Sequence, residues 1–204
     1  MAIPKQSTKD RILESAFEEL IEKGFVRFTI QGVADRIEIS LGNLTYHFPN
    51  REQLIQAMID RWFEAWKIEF TQIIEKKIGD SRPDIAGFID WVMDNALLKE
   101  NVRTFTELWA IANHEPKVAK ILDKLYEQAI NTVLETLGHS TTSKKSTDLR
   151  ALLYLLASVS EGSVAVLGNS PKNDPRRKMV KQQIGRLMTP LFEACLPPTK
   201  IRVK

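Results

Sequence analysis

The sequence predicts an all-α protein, and three observations support this prediction. Apolar residues recur at intervals of three and four along most of the chain, which is the spacing of amphipathic helices. Residues that cap helices stand at the starts of these segments, and glycine or proline stands near their ends. No segment shows the alternation typical of a β-strand. We expect about nine helices, three in an N-terminal helix-turn-helix domain and the rest in a C-terminal helical bundle.

The composition is ordinary for a soluble globular protein of 204 residues, with 43% hydrophobic and 27% charged residues. The net charge of +3 is too small to argue for nucleic acid, and the first 51 residues carry seven basic and seven acidic side chains. The single cysteine, Cys195, excludes an intrachain disulfide and suits a reducing compartment. We find no signal peptide or membrane-spanning segment, and so predict a cytoplasmic protein with no membrane partner.

The first three helices are predicted from their end signals. Ser7 or Thr8 opens the first helix and Gly24 ends it. Thr29 caps a short second helix, and Ser40 caps a short third helix. The apolar stripe of the first helix is formed by Ile12, Leu13, Ala16, Phe17, Leu20 and Ile21.

Only Glu38 and Ile39 separate the second helix from the cap of the third, so the two helices must cross steeply, as in a helix-turn-helix. Gly42, in the first turn of the third helix, permits close approach of its backbone to a partner. Polar tips on a short exposed helix suit the major groove of DNA. In this helix they belong to Asn43, Thr45, Tyr46 and His47.

The remaining helices follow from the same signals. Asn50 caps a fourth helix that we expect to run to about Ile78 and to link two domains. The segment from Gly79 to Asp84 is a break, and the polar segment from His139 to Thr147 is a loop. The later helices are expected over 83–98, 102–113, 116–137, 148–167 and 175–196, the last interrupted at Pro190 and closed by Pro197 and Pro198.

The segment from Thr29 to Leu54, with the preceding EKGF, resembles the N-terminal DNA-binding domain of TetR/AcrR-type transcriptional regulators. Two positions depart from the family pattern. Glu38 stands where the family usually has glycine, and we interpret it as a tolerated substitution in the turn. Thr45 stands where the family usually has tyrosine, which removes one expected phosphate contact. The matching residues are Thr29, Val33, Ala34, Ile39, Ser40, Gly42, Leu44, Tyr46, His47, Phe48, Arg51, Glu52 and Leu54.

The resemblance implies a one-component transcriptional regulator, a repressor, that binds palindromic operator DNA as a homodimer and is released by a small-molecule effector. Residues 1–50 would bind DNA, and residues 51–204 would dimerise and bind the ligand. Ligand binding would displace the helix that begins near Arg51 and change the separation of the two DNA-binding domains. The expected DNA contacts are Thr29, Gln31, Ser40, Leu41, Gly42, Asn43, Thr45, Tyr46, His47 and Arg51.

Aromatic residues in the predicted bundle could together line a cavity for a small apolar or aromatic effector, although any one of them could be ordinary core. His114, before Pro116, could contact the ligand, or cap a helix or face solvent. The candidate ligand-binding residues are Trp66, Phe70, Phe88, Trp91, Phe105, Trp109, His114 and Tyr126.

The segment 148–167 is apolar around more of its circumference than one core requires, and it carries many small residues. An isologous dimer would bury this surplus together with the last helix. The candidate dimerisation residues are Leu152, Leu156, Val159, Ser163, Ile184 and Met188.

Other function classes remain as alternatives. An enzyme would need a catalytic motif that we do not find, and Glu107 and Glu161 are isolated carboxylates in apolar helices. Three scattered histidines and one cysteine give no metal-ligand spacing, so we expect no metal and no cofactor. A second hypothesis keeps DNA binding but gives the protein a filled, ligand-free body, controlled by a protein partner or by abundance.

Overall fold

The structure is a computed structural model that describes residues 7–75, 83–139 and 144–196. Over these residues the chain forms nine α-helices, one short 3₁₀ turn at Phe25–Arg27 and no strand, which confirms the all-α prediction. The helices are α1 (Thr8–Lys23), α2 (Ile30–Arg36), α3 (Leu41–His47), α4 (Arg51–Glu75), α5 (Ile85–Ala96), α6 (Lys99–Ala112), α7 (Pro116–Thr136), α8 (Lys144–Leu167) and α9 (Pro175–Cys195).

The described residues divide into two compact units. The N-terminal unit comprises those of Met1–Glu64 and Arg103–Tyr126, and thus contains α1 to α3, the first half of α4, most of α6 and the first half of α7. The C-terminal unit comprises those of Ala65–Val102 and Glu127–Lys204. The unit that contains the helix-turn-helix therefore also includes chain far beyond residue 50.

Helix caps organise the N-terminal unit as the sequence predicts. The Ser7 hydroxyl accepts from the N–H of Asp10 at 3.1 Å, and α1 ends at Gly24, whose φ is +69°. The Asn50 side-chain oxygen accepts from the N–H of Gln53 at 2.9 Å and so caps α4. The apolar side chains of these helices form a core that includes Ile12, Ala16, Leu20, Val33, Ala34, Leu44, Leu54 and Ile55.

In the C-terminal unit, α5, α8 and α9 pack against one another. The Arg177 guanidinium donates to the carbonyl oxygens of Leu97 at 3.3 Å, Leu167 at 3.0 Å and Ser170 at 2.7 Å. One side chain therefore satisfies carbonyls that follow α5 and end α8. The core of this unit includes Phe70, Ile85, Phe88, Ile89, Met93, Leu149, Leu153, Leu156, Met188 and Phe192.

Several helix boundaries differ from the predictions. α8 begins at Lys144 and α6 at Lys99, so polar residues predicted as loop or break form the first turns of these helices. Pro190 lies inside an uninterrupted α9, because its missing N–H removes one intrahelical bond at an exposed position without ending the helix. The predictions for Ile78, for most of the break after it, for residues 140–143 and for Pro197 and Pro198 lie outside the described residues.

By length and composition, residues 146–167 of α8 could cross a membrane. Apolar side chains of this helix are instead buried against α5 and α9 within the C-terminal unit. A core helix of a globular protein has the same composition, so this segment gives no reason to assign a membrane span.

Candidate DNA-binding surface

The turn between α2 and α3 is a Schellman motif. The N–H of Ile39 donates to the carbonyl of Ala34 at 3.1 Å, and the N–H of Glu38 donates to that of Asp35 at 3.2 Å. Glu38 occupies the left-handed position of this motif with a φ of +57°, where glycine is the favoured residue. The turn therefore has the geometry that glycine would give, at the cost of backbone strain in a residue with a side chain.

Side-chain caps begin both helices of the motif. The Thr29 hydroxyl accepts from the N–H of Gly32 at 3.0 Å, and the Ser40 hydroxyl accepts from the N–H of Asn43 at 3.1 Å. Both predicted caps are thus confirmed. Each hydroxyl oxygen is engaged in its own helix, while its hydrogen can still be donated to an external acceptor such as a phosphate.

α2 lies against a buried carboxylate of α1. The Glu19 side chain is 1% exposed and pairs with Lys23 at 2.7 Å and with Arg36 at 3.6 Å. A Cβ added at Gly32 would lie 2.3 Å from a carboxylate oxygen of Glu19, so a larger residue here would force the Glu19 side chain to shift. The acidic residues of α1 are therefore used in part to hold α2 in place.

α3 buries one side and exposes the other. Leu44 and the following Phe48 are buried in the core, whereas Gly42, Asn43 and Tyr46 face solvent, Tyr46 with 84% of its surface exposed. The Tyr46 and His47 rings meet edge to face with centroids 5.2 Å apart. The predicted recognition residues of α3 thus lie on the side of the helix that the core leaves open, together with Leu41.

Two of the other predicted contacts have local partners. The Gln31 amide donates to Asp35 at 2.6 Å, and the Thr45 hydroxyl donates to the carbonyl of Gly42 at 3.2 Å. A phosphate oxygen is only an acceptor, so Thr45 must turn its hydroxyl away from Gly42 to reach one.

Arg51 is the exception among the predicted DNA contacts. Its guanidinium forms an ion pair with Glu115 and lies over the rings of Phe25, at 4.6 Å, and Phe28, at 5.5 Å. The structure therefore places this side chain in an intramolecular contact at the start of α4, with about a quarter of its surface exposed (26%).

Three residues of α6 and the start of α7, together called the α6–α7 corner, contact the 3₁₀ turn and the start of α4 within the N-terminal unit. The Glu107 carboxylate accepts from the backbone N–H of Phe25 at 2.7 Å, and Glu115 pairs with Arg51. Lys117 donates to Glu52 at 3.0 Å, and this bond holds the pKa of the Glu52 carboxyl below its ordinary value. Periodicity could not reveal these contacts, although Glu107 is conspicuous as an acidic residue in an apolar helix.

Three of the four candidate ligand residues in the N-terminal unit, Phe105, Trp109 and Tyr126, form one aromatic group with Trp62. The ring of Trp62 meets Phe105 edge to face at 4.7 Å, and Phe105 lies 6.0 Å from Trp109. The Trp109 indole N–H donates to the Tyr126 hydroxyl at 3.2 Å, and both side chains are half-buried. His114 is exposed at the α6–α7 turn. This aromatic group therefore offers partly accessible rings and one polar hydroxyl.

The candidate ligand residues of the C-terminal unit form a second aromatic group. Trp66 stacks on Phe70 with ring centroids 5.3 Å apart and lies 5.7 Å from Trp91. Phe70 meets Phe88 edge to face at 5.6 Å, and both of these rings are buried in the core. Phe70 and Phe88 are thus core residues, and their rings occupy the interior of this unit.

The candidate dimerisation residues face the interior of the C-terminal unit. Leu156 and Met188 are buried in its core, and Leu152, Val159 and Ile184 pack against that core. The buried Ser163 hydroxyl donates to the carbonyl of Val159 at 2.8 Å. The opposite faces of α8 and α9 expose large apolar side chains instead, namely Tyr154, Leu155, Val166, Met179, Leu187 and Leu191.

Comparison with known proteins identifies the helix-turn-helix. Residues 12–58 match the family described as bacterial regulatory proteins, tetR family. This match covers α1 from its second turn, all of α2 and α3, and the first turns of α4.

Relatives extend the similarity beyond this segment. An uncharacterized HTH-type transcriptional regulator in the dhlA 5′ region of Xanthobacter autotrophicus is 29% identical over 70% of this chain and 72% of its own length. The nucleoid occlusion factor SlmA of Haemophilus ducreyi is 27% identical over 94% of this chain and 96% of its own.

A solved structure shares the fold over nearly the whole chain. The multidrug binding protein EbrR, in complex with imidazole, superposes with a TM-score of 0.62 at 18% identity and covers 97% of this chain and 99% of its own. Sequence match, relatives and fold agree with the capped, exposed α3 described above. The chain belongs to the TetR family of DNA-binding transcriptional regulators.

Proposed function

We propose that this regulator is a cytoplasmic homodimeric repressor that binds palindromic operator DNA and leaves it when a small apolar or aromatic effector binds. Residues 1–50 would contact DNA, and residues 51–204 would dimerise and bind the effector. The single observation that carries the DNA-binding part is the solvent-facing side of α3, held by the Schellman turn at Glu38.

The exposed side chains of the helix-turn-helix can make two kinds of contact with DNA, to base edges and to phosphates. Asn43, in the first turn, can offer an amide donor and acceptor to a base edge. Tyr46, His47 and the cap hydroxyls of Thr29 and Ser40 can donate to phosphates, which fix position without reading sequence. Arg51 is assigned no phosphate, because its guanidinium is paired with Glu115.

The experiment for this part selects genomic fragments that bind the purified full-length protein and retests each by gel shift against a scrambled duplex of equal length. At least one fragment with an inverted repeat should bind more tightly than its scrambled counterpart. If no fragment is preferred, the DNA-binding proposal fails.

Dimerisation is proposed through the outer faces of α8 and α9. Leu155 and Leu187 leave about half of their surface exposed, at 50% and 57%, and four further large apolar side chains of these helices are exposed with them. Single exposed apolar residues are normal, but a group of six on two adjacent helices is typical of an association surface. Gly162 lies on α8 with no described atom within 4 Å of where a Cβ would stand. A second copy could therefore approach the α8 backbone closely there.

Effector control is proposed to act through the α6–α7 corner. Phe105 and Trp109 of the aromatic group and Glu107, which binds Phe25, all lie on α6. Ligand binding among the aromatic rings would move α6 and loosen the contacts to Phe25 and Arg51. The effector would thus favour a conformation that binds DNA less well, as linkage requires. EbrR, which shares this fold, is described as a multidrug binding protein, and this description supports an apolar effector here.

The effector proposal predicts three coincident titrations. An apolar or aromatic compound should change tryptophan emission saturably, raise the melting temperature by binding the folded state, and weaken operator binding over the same concentrations. Trp109→Phe should shift the emission and release curves together, whereas Trp91→Phe, in the other aromatic group, should leave the release curve unchanged. A broad compound screen without saturable change would refute effector control.

The filled interior of the C-terminal unit favours one alternative, a regulator without a small-molecule ligand that responds to a protein partner or to its own abundance. Phe70 and Phe88 occupy that interior themselves. SlmA, which is similar over 94% of this chain, is named for nucleoid occlusion rather than for an effector. The same compound screen separates the two proposals, because this alternative predicts no saturable change.

A further inference from the structure

Two side chains of α1 donate to the C-terminal end of α2. The Ser15 hydroxyl, which is buried, donates to the carbonyl of Val33 at 3.3 Å. The Arg11 guanidinium donates to the carbonyl of Ile37 at 3.0 Å. Ile37 ends α2 and immediately precedes the left-handed residue Glu38. α1 therefore binds the backbone at the point where the turn begins.

The backbone bonds of the turn do not involve the Ile37 carbonyl. The Schellman motif uses the carbonyls of Ala34 and Asp35 as acceptors. The Ile37 carbonyl lies one residue before the backbone changes hand, so its direction sets how the chain enters the turn. Arg11 holds that direction with a charge-assisted hydrogen bond at the solvent-exposed surface of the unit.

The turn needs such support because its sequence is unfavourable. Glycine adopts the left-handed conformation without strain, whereas Glu38 does not. A right-handed backbone at position 38 would redirect α3, which α2 contacts directly. The angle of α3 thus depends on interactions that hold Glu38 in its strained state, and the Arg11 bond acts on the residue immediately before it.

We propose that Arg11 is a positioning residue for DNA recognition, which orients α3 through the Ile37 carbonyl without contacting DNA. This inference rests on the proposed DNA binding by α3. It predicts that Arg11 controls the preference for operator over other DNA, and that its contribution depends on which residue occupies position 38.

The test compares Arg11→Met, which keeps the length of the side chain but removes its donors, with the wild-type protein on a selected operator duplex and a scrambled duplex. Operator affinity should fall by about 3- to 10-fold, the usual net effect of one hydrogen bond, because this bond is exposed to solvent. Affinity for the scrambled duplex should change by less than about 2-fold, because nonspecific binding depends on phosphate contacts. Arg11→Lys, which retains a donor, should lose less than Arg11→Met.

The salt dependence distinguishes positioning from phosphate contact. Arg11→Met should leave the slope of log affinity against log salt unchanged. Arg27→Met removes the same charge from an exposed arginine of the 3₁₀ turn and is the control for charge loss alone. A lost phosphate contact lowers the slope by about 0.9. Should Arg11→Met itself lower the slope by that amount and weaken both duplexes equally, Arg11 would be a phosphate contact and the inference would be wrong.

A double-mutant cycle with Glu38→Gly provides a readout that a general loss of stability would not move. Glycine stabilises the turn by itself, so Arg11→Met should cost much less operator affinity in the Glu38→Gly background than in the wild-type background. Additive effects would overturn the inference. If the wild-type protein prefers no DNA fragment at all, the proposed function fails instead, and the two failures are therefore distinguishable.

Discussion

The carboxylate of Glu107 in α6 accepts a hydrogen bond from the backbone N–H of Phe25 at 2.7 Å, and the two residues are 82 positions apart in the sequence. Phe25 begins the connection between α1 and α2, and its ring lies against the Arg51 guanidinium that pairs with Glu115. A bond made by α6 thus helps to hold the connection that leads into the helix-turn-helix.

Glu107→Leu should lower the stability of the protein by about 1–3 kcal/mol, because a partly buried N–H would lose its acceptor. Each kcal/mol corresponds to about 2–4 °C in melting temperature for a chain of this size. Glu107→Gln keeps an acceptor oxygen and should lose less. Thermal melts followed by circular dichroism measure both, with Glu127→Leu at an exposed carboxylate of α7 as control. An equal loss in Glu107→Leu and in the control would contradict the role of this bond.

Glu38→Gly should raise the melting temperature by about 2–4 °C, because glycine removes roughly 1 kcal/mol of left-handed strain. Operator affinity should stay the same or increase. Glu38→Ala is the control, since it removes the same carboxylate but keeps the Cβ and therefore the strain. A melting temperature equal in the two variants would show that charge, and not backbone conformation, determines the effect.

Asn43→Ala and Tyr46→Ala should weaken DNA binding in different ways. Loss of a base contact typically costs about 1–3 kcal/mol on the correct sequence only, so Asn43→Ala should reduce the ratio of operator to scrambled affinity. Loss of a phosphate contact weakens all sequences alike, so Tyr46→Ala should preserve this ratio. Gel shifts of each variant on the operator and scrambled duplexes measure both affinities. Equal losses on both duplexes after Asn43→Ala would remove its proposed base contact.

Leu187→Glu should convert the proposed dimer to a monomer without unfolding the chain. This side chain is exposed in one copy, and in a dimer the substitution would place a buried charge between two copies. Operator affinity should fall about 100-fold or more as the two half-sites are no longer bound together. Ala110→Glu, at an exposed apolar residue of α6, should change neither property. Light scattering gives the mass, and an unchanged dimer after Leu187→Glu would place the interface elsewhere.

The sequence predicts the caps of individual helices more reliably than which face of each helix is buried. Thr29 and Ser40 cap α2 and α3 as expected, because a cap needs only a side chain and the N–H three residues later. α8 is harder to orient, since it is apolar around much of its circumference and its periodicity does not distinguish an inner from an outer face. Leu156, for example, is buried in the core while the neighbouring Leu155 is exposed, and the sequence pattern does not distinguish them.

Contacts between distant segments lie beyond sequence reasoning for a related reason. Arg51 matches a family motif, but its pairing with Glu115 depends on how α7 packs near α4, and no local pattern encodes that. The bond from Arg11 to Ile37 likewise requires the angle between α1 and α2. Gly32 of α2 lies close to the buried Glu19 of α1, and this approach is also apparent only in three dimensions.

A substitution at Gly162 should affect the stability of α8 and the proposed dimerisation in opposite directions. Within one chain a Cβ at this position would meet open space, so Gly162→Ala should stabilise α8 by about 1 kcal/mol. If a second copy packs closely at Gly162, the same methyl group would separate the two backbones and raise the dimer dissociation constant. The cellular concentration at which half of the operators are occupied would then rise, although no residue that touches DNA had changed. A single methyl group in α8 would thus set the dose of protein needed for repression.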